Sequence, residues 1–272
     1  MKKLADHNFK SLAIILGAFF KRDFLIIISY KFQLIIQVIF FIFLSVFIYI
    51  AAISSNTEET IYKFIRYYFS FILMDFMFAF MGNLGRQIRE NQLLGTFENI
   101  FISGVSFEVI IIYSYISTFI KFLFRFLLYL SIIILFTKTS ISFESIMKLL
   151  YIFFISSFFF FSFGLLSSSF IIYFKQGNPI NFIVFIISIS LSGMFFPVEN
   201  LFINASSVSA FIPTYFLLEN YDAVLGLVDK NMIALTNYFN IYLSSFILLC
   251  IGYSFFKISL KISIKHGNLG HY

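Results

Sequence analysis

Long apolar runs separated by short polar stretches dominate the pattern of this 272-residue chain. A helix that crosses the hydrocarbon core of a bilayer needs about 20 mostly apolar residues. The runs lack the alternation of barrel strands, and a backbone in lipid must satisfy its own hydrogen bonds. The pattern therefore predicts an all-α membrane protein. Its six predicted transmembrane helices are 24–53, 61–81, 109–136, 147–174, 179–196 and 238–256.

The composition excludes most other classes of protein. Hydrophobic residues make up 60% of the chain and charged residues only 12%, whereas a soluble domain carries about 25% charged residues. A single soluble domain and a disordered chain are therefore excluded. The single cysteine, Cys250, excludes a disulfide framework and a cysteine metal site, and we expect it to be a small buried apolar residue.

Basic residues are distributed unevenly between the two sides of the predicted bundle. One side carries 11 Lys and Arg residues and the other carries 5. Because short cytoplasmic loops carry the excess of positive charge, we expect a multi-pass protein of the cell membrane with both termini in the cytoplasm. The sequence contains no basic soluble module of the kind that binds nucleic acids. The predicted cytoplasmic residues are Lys2, Lys3, Lys10, Lys21, Arg22, Arg86, Arg89, Lys175, Lys257, Lys261 and Lys265.

The first 23 residues have an amphipathic pattern. Phe19 and Phe20 fall near one helical face with Leu4, Leu12 and Leu16, while Lys21 is polar. This pattern predicts a helix that lies in the membrane interface. The alternative is a cleaved or spanning segment, but no small-residue cleavage site follows the apolar run.

The longest cytoplasmic connection, 82–108, is a candidate functional elbow. Gly95 can end a helix there, and Thr96 can cap the next one. Two interpretations remain open: an amphipathic elbow resting on lipid headgroups, or a docking surface for a cytoplasmic partner that uses charge-assisted contacts. The charged side chains of the elbow are Arg86, Arg89, Glu90 and Glu98.

The longest external connection is 197–237. Its apolar pieces, such as 208–218, are too short to cross a bilayer and suit re-entrant or interfacial helices. The region is either an ordinary loop with apolar anchors or an external cap over a translocation path. The candidate cap residues are Gly193, Phe196, Pro197, Glu199, Pro213 and Tyr215.

Three charged residues fall well inside predicted spans, away from the span ends, and form a candidate intramembrane cluster. Asp75 lies in the second span, and Lys121 and Arg125 lie four residues apart on one face of the third. Intramembrane charges are costly and often functional. We predict that Asp75 pairs with Lys121. The pair is either a static salt bridge that orders the bundle or part of a charged patch for an anionic or amphipathic cargo.

Four motifs in order along the six predicted spans resemble the membrane subunit of type-2 ATP-binding-cassette (ABC) exporters, the drug and polysaccharide export family. The elbow contains an Arg-Glu pair followed by a Gly-Thr-x-Glu sequence, as the family does between its second and third spans. In this chain two extra residues separate the Arg-Glu pair from the Gly-Thr-x-Glu sequence. Residues similar to the family's Ser-Gly-x-x-Phe-Pro and Gly-x-Leu-x-x-Tyr patterns follow, and between them Pro213, Thr214, Tyr215 and Glu219 fall where the family has a Pro-x-x-Tyr-type segment. The matching residues are Arg89, Glu90, Gly95, Thr96 and Glu98; Ser192, Gly193, Phe196 and Pro197; Pro213, Thr214, Tyr215 and Glu219; and Gly267, Leu269 and Tyr272.

The resemblance implies that residues 1–272 form a single permease domain. A cytoplasmic ABC ATPase subunit would bind at the elbow, and a second permease subunit, identical or a paralogue, would complete the path. Since the chain has no phosphate loop, the resemblance implies no cofactor on this chain, with ATP and Mg on the partner subunit. The chain itself would not be an enzyme, and the expected cargo is hydrophobic, lipid-like or drug-like.

Three alternatives remain beside this interpretation. An ion- or proton-coupled transporter would use Asp75, Lys121 and Arg125, although no inverted repeat is visible. A membrane enzyme acting on lipids would need an acid, base or metal cluster, and the three histidines all lie near the termini. The third alternative is a purely structural role.

Overall fold

The computed structural model describes residues 14, 17–23, 25, 28–53, 60–102, 106–138, 141–175, 179–194, 209, 211–224 and 235–266. Every regular element in this part of the chain is an α-helix, and residues 17–23 form a further helical segment before the first of them. The helices are α1 (Lys31–Ile53), α2 (Thr60–Leu93), α3 (Phe97–Ile102), α4 (Phe107–Thr137), α5 (Phe143–Phe174), α6 (Pro179–Leu191), α7 (Pro213–Val224) and α8 (Leu235–Lys265).

Five of these helices, α1, α2, α4, α5 and α8, are long and apolar enough to cross a membrane. The described part of the chain is therefore all-helical, and the protein is a multi-pass membrane protein. The predicted fifth span, 179–196, corresponds to α6, whose 13 residues rise only about 20 Å against a hydrocarbon core of about 30 Å. A sixth crossing at this place stays a prediction.

Helix α5 forms the centre of the bundle, packed against α2 on one side and α8 on the other. Two glycines permit close approach of these helices. A Cβ atom at Gly164 of α5 would lie 2.8 Å from the Phe80 carbonyl oxygen, and one at Gly252 of α8 would lie 2.7 Å from the Ser162 carbonyl oxygen. Small residues allow helix backbones to pack closely where lipid supplies no hydrophobic driving force.

Side-chain contacts give the directions of the helices. Helices α2 and α5 are parallel, because Phe69 contacts Phe153 and Phe76 contacts Phe160. Helices α5 and α8 are also parallel, since Tyr151 bonds to Tyr242 near one end, and the Ser263 hydroxyl donates to the carbonyl of Ile172 near the other. The carboxyl ends of α2, α5 and α8 therefore lie at the same end of the bundle.

We call this end the basic end. Helix α4 begins there, since it runs antiparallel to α2, and segment 17–23 packs on its first half. The structure thus groups basic residues at one end as the charge pattern predicts. That the basic end faces the cytoplasm stays a prediction. The described basic residues at this end are Lys21, Arg22, Arg86, Arg89, Lys175, Lys257, Lys261 and Lys265.

Two helices extend beyond their predicted spans, and one expectation needs correction. Helix α2 continues past its apolar run, which ends at residue 81, through the polar helical turns of the elbow to Leu93, just before Gly95. Likewise, α8 continues to Lys265. Cys250 is exposed rather than buried, because it lies on a face of α8 that no other described helix covers.

Candidate functional site

The first intramembrane ion pair joins α2 to α4 and is enclosed by aromatic rings. Arg125 donates from Nη1 to Asp75 Oδ1 at 2.6 Å, and the Tyr129 hydroxyl donates to Asp75 Oδ2 at 3.0 Å. Only 22% of the Arg125 side chain and 18% of that of Asp75 are exposed. The Tyr129 ring contacts Phe41 of α1, with 5.0 Å between centroids. Both carboxylate oxygens are therefore bonded, as a buried charge requires.

The second ion pair joins α4 to the segment that precedes α1. Lys121 donates to Asp23 Oδ2 at 2.8 Å, and the Ser117 hydroxyl donates to the same oxygen at 3.2 Å. Arg22 approaches the other oxygen at 3.3 Å. The Lys121 side chain is 40% exposed, more than that of Arg125, whereas the Asp23 side chain is only 13% exposed, so this pair is open on its lysine side.

The predicted pairing of Asp75 with Lys121 was therefore wrong, and the register of two antiparallel helices gives the reason. Phe64 of α2 contacts Phe136 of α4 near one end, and the Asn83 amide donates to the Thr118 hydroxyl at 2.6 Å near the other. This register places Asp75 level with Arg125. Lys121 lies one helical turn nearer to the basic end, where Asp23 reaches it.

Aromatic contacts fix segment 17–23 on α4. The ring of Phe19 stacks on Tyr113 with 4.7 Å between centroids, and Phe20 meets the same ring edge-on at 5.4 Å. The Arg22 guanidinium lies 5.4 Å from the Phe19 centroid. Lys21 and Arg22 are exposed, as the amphipathic pattern predicts. The segment therefore packs on a helix of the bundle, while its predicted place in the membrane interface stays a prediction.

The ion pair changes the titration of Asp23. Burial raises the pKa of its carboxyl, but the hydrogen bond from Lys121 and the charges of Lys121 and Arg22 lower it by more. The pKa of Asp23 therefore lies below its ordinary value, and the carboxylate is charged at neutral pH.

The elbow between α2 and α4 contains a sharp turn. Helix α2 ends at Leu93, Gly95 has a φ of +66°, and the carbonyl of Thr96 accepts the first hydrogen bond of α3, from Ile100. The Thr96 hydroxyl donates back to Asn91. Gly95 thus ends one helix, as predicted, because only glycine adopts this positive φ readily. Thr96 directly precedes the next helix, but its hydroxyl bonds back to Asn91, so its predicted role as a cap stays a prediction.

Charged and apolar side chains share the surface of the elbow. Arg86, Arg89 and Glu90 are exposed on the last turns of α2, and Glu98 is half-buried. Two of the large apolar residues, Leu94 and Ile102, are 75% and 81% exposed. By contrast, Phe97 is 2% exposed and anchors α3 to the bundle. The elbow is therefore fixed at its base and presents a mixed outer surface.

Only part of the candidate external cap lies among the described residues. Gly193 has a φ of +78°, and its carbonyl accepts a hydrogen bond from Arg66 of α2 at 3.4 Å. Pro213 begins α7, a helix too short to span, in which Tyr215 is half-buried. The remaining members lie outside the described residues: Phe196, Pro197 and Glu199.

Sequence reasoning missed Asp23 as the partner of Lys121. A signal was present, because the interior of spans two and three holds two cations, Lys121 and Arg125, but only one carboxylate, Asp75, so that one cation lacked a counter-ion. It also missed Tyr129, which no polar pattern distinguishes from the 15 other tyrosines. Among the described residues, no group of three or more His, Cys, Asp or Glu side chains is arranged to hold a metal ion.

Comparison of the chain with protein-family models and with curated proteins found no match.

Proposed function

We propose that this chain is the membrane permease subunit of a type-2 ABC exporter, with six spans, both termini in the cytoplasm and a place in the cell membrane. It would form a dimer with an identical or paralogous subunit and export a hydrophobic, lipid-like or drug-like substrate. ATP with Mg would be hydrolysed on a separate nucleotide-binding subunit. The observation that carries the proposal is the elbow at Arg86–Ile102, a charged turn fixed to the ends of two long helices.

The way the elbow connects to the bundle supports a coupling role. Helix α2 is continuous for 34 residues, about 51 Å, from the end of the bundle opposite the basic end to the elbow. Four residues separate the end of α3 from the start of α4, and the Asp75–Arg125 ion pair joins α4 to α2. A force on the elbow would therefore move α2 and α4 together. ATP would act by favouring one of two arrangements of the permease dimer.

The test is recovery of the partner ATPase with the purified full-length chain in mild detergent, with identification by mass spectrometry. We expect wild type to retain an ATPase that carries a phosphate loop. Glu90→Arg should reduce its recovery at least about tenfold, because a reversed charge at a docking surface costs several kcal/mol. The matched control is Glu144→Arg, the same reversal at an exposed helical position at the opposite end.

Two results would contradict the proposal. The first is the recovery of no such ATPase with wild type in several detergents. The second is an equal loss in both variants, which would place the contact away from the elbow. Export of a fluorescent amphiphile from vesicles that hold the complex should require ATP and persist with a protonophore.

The ion-coupled alternative depends on the cluster of Asp75, Lys121 and Arg125. Each of these groups is held in an ion pair, and both Asp75 oxygens accept hydrogen bonds. This arrangement favours a structural role for the cluster. Loss of transport on addition of a protonophore, with ATP still present, would instead favour the alternative.

A further inference from the structure

The last two turns of α8 carry a regular row of lysines. Lys257, Lys261 and Lys265 are spaced four apart and so lie on one face of the helix, and we call them the basic stripe. Helix α8 contains no acidic residue from Leu235 to Lys265. Lys261 and Lys265 are exposed, and Lys257 is half-buried.

The length of α8 places this stripe at the depth of lipid headgroups. The 22 residues from 235 to 256 contain no charge and rise about 33 Å, which matches the hydrocarbon core of about 30 Å. The nine residues that follow begin with Lys257 and extend the same helix beyond that core. The parallel packing of α5 and α8 places Lys175, the residue after α5, at the same end.

Aromatic rings at this depth hold the first lysine. The Lys257 ammonium lies 5.9 Å from the ring centroids of both Phe107 and Tyr253. The Tyr253 hydroxyl donates to Glu108 at 3.4 Å, so one carboxylate lies near this lysine. Aromatic residues are enriched where the hydrocarbon core meets the headgroups.

The stripe has room for an external anion. None of the ion pairs formed by the described residues includes Lys257, Lys261 or Lys265. Apolar side chains beside the stripe are about half exposed, with Ile258 at 55% and Ile264 at 54%. A ligand with a negative headgroup and apolar chains would match both kinds of surface.

We propose that the basic stripe binds the phosphate headgroup of anionic phospholipids, whose acyl chains lie along the exposed apolar face of α8. Each lysine directly beside a transmembrane helix is attracted to such lipids by about 1 kcal/mol, which is about fivefold in affinity. This proposal requires only that α8 spans the membrane, and so it is independent of the proposed exporter function.

The test measures the lipid that stays bound to the purified full-length protein. Native mass spectrometry compares phosphatidylglycerol with phosphatidylcholine in neutral detergent micelles. We expect wild type to retain phosphatidylglycerol preferentially. The triple variant Lys257→Gln, Lys261→Gln, Lys265→Gln should lower that affinity at least about tenfold, because each lysine near an anionic surface contributes about fivefold.

The matched control removes three lysines at the opposite end: Lys63→Gln, Lys138→Gln and Lys148→Gln. It should leave the preference unchanged. The single variant Lys261→Glu reverses one exposed charge of the stripe and should itself lower phosphatidylglycerol binding. It serves as the test if thermal unfolding shows that the triple variant is not folded.

Four outcomes would overturn the proposal. The first is a wild type without preference for phosphatidylglycerol. The second is an equal loss of phosphatidylglycerol binding in both triple variants. The third is displacement of the lipid by an excess of inorganic phosphate, which would mean that the stripe binds a free anion. The fourth is unchanged lipid binding with loss of a copurified protein, which would make the stripe a protein-binding surface.

Discussion

Two cations on one face of α4 have different partners and different surroundings. Arg125 pairs with Asp75 of α2, and the pair is surrounded by helices on most sides. Lys121, one turn away, pairs with Asp23 of the segment before α1, and 40% of its side chain is exposed. The same helix face thus joins one spanning helix to another and also holds a peripheral segment.

This difference indicates how much each pair contributes to the bundle. Breaking a buried ion pair leaves an uncompensated charge without water, and this costs several kcal/mol. Removing the carboxylate of the second pair should cost less, because the cation left behind, Lys121, is partly exposed and flexible. We therefore expect Asp75–Arg125 to determine the stability of the bundle, and Asp23–Lys121 to determine the position of segment 17–23.

The largest expected effect is that of Asp75→Ala. Arg125 then lies buried without a counter-ion, and the free energy of unfolding should fall by about 3–5 kcal/mol. The measurement is reversible unfolding of the purified protein in mixed micelles. Asp23→Ala, which removes the carboxylate of the other pair, is the matched variant and should cost much less.

A double variant separates the effect of charge from that of packing. Asp75→Leu with Arg125→Leu removes both charges and fills the space with apolar atoms, so it should recover most of the stability lost in Asp75→Ala. If the double variant is as unstable as the single one, the shape of the site rather than an unpaired charge governs stability.

A smaller effect is expected for Arg125→Lys. The charge is kept, but an ammonium lacks the planar fork of the guanidinium and does not reach Asp75 Oδ1 in the same geometry. Loss of this charged hydrogen bond should cost about 1.5–3 kcal/mol in the same unfolding assay. The reverse exchange, Lys121→Arg, should be nearly neutral because solvent can accommodate the longer side chain. Equal costs for the two exchanges would contradict the difference between the pairs.

The sequence was sufficient to predict the helices but not their register. Apolar length predicted α1, α2, α4, α5 and α8, because lipid leaves the backbone few alternatives to a helix. Helices α2 and α8 continue beyond their predicted spans, since their last turns are polar and apolar length carries no information there.

The candidate site shows the same limit more sharply. Gly95 and Thr96 were predicted from local backbone chemistry, and the structure places them at the turn. The partner of Lys121 was not predicted, because pairing depends on which turns of two helices are level. A shift of one turn, about 5.4 Å, exchanges one partner for another.

The effect of Asp23→Asn should be local and small. An amide keeps the shape of the side chain but removes the charge that faces Lys121, so we expect about 1 kcal/mol or less in the free energy of unfolding. Segment 17–23 should nevertheless detach more often. Because the chain contains no tryptophan, Phe19→Trp introduces a single reporter at the ring that stacks on Tyr113.

In the Phe19→Trp background, Asp23→Asn should increase quenching of the tryptophan by iodide, because the indole leaves its contact with α4. Lys21→Gln is the control, since it removes one exposed charge from the same segment without altering the ion pair. Equal quenching in both variants would mean that the aromatic contacts alone hold the segment.

The smallest effect is a response of the same reporter to pH. The pKa of Asp23 lies below its ordinary value of 3.8, so the folded state favours the charged form. The ion pair therefore contributes fully at pH values above 3.8, and its contribution is lost as the pH falls through the lower pKa of the folded state. Iodide quenching should stay constant from neutral pH down to that range and then rise. The Asp23→Asn variant has no carboxyl to protonate at this position and should show no such rise. A similar rise of quenching in that variant would mean that acid unfolds the whole bundle, and that the rise does not report protonation of Asp23. Acid would then not release segment 17–23 selectively while the Asp75–Arg125 pair still holds α2 to α4.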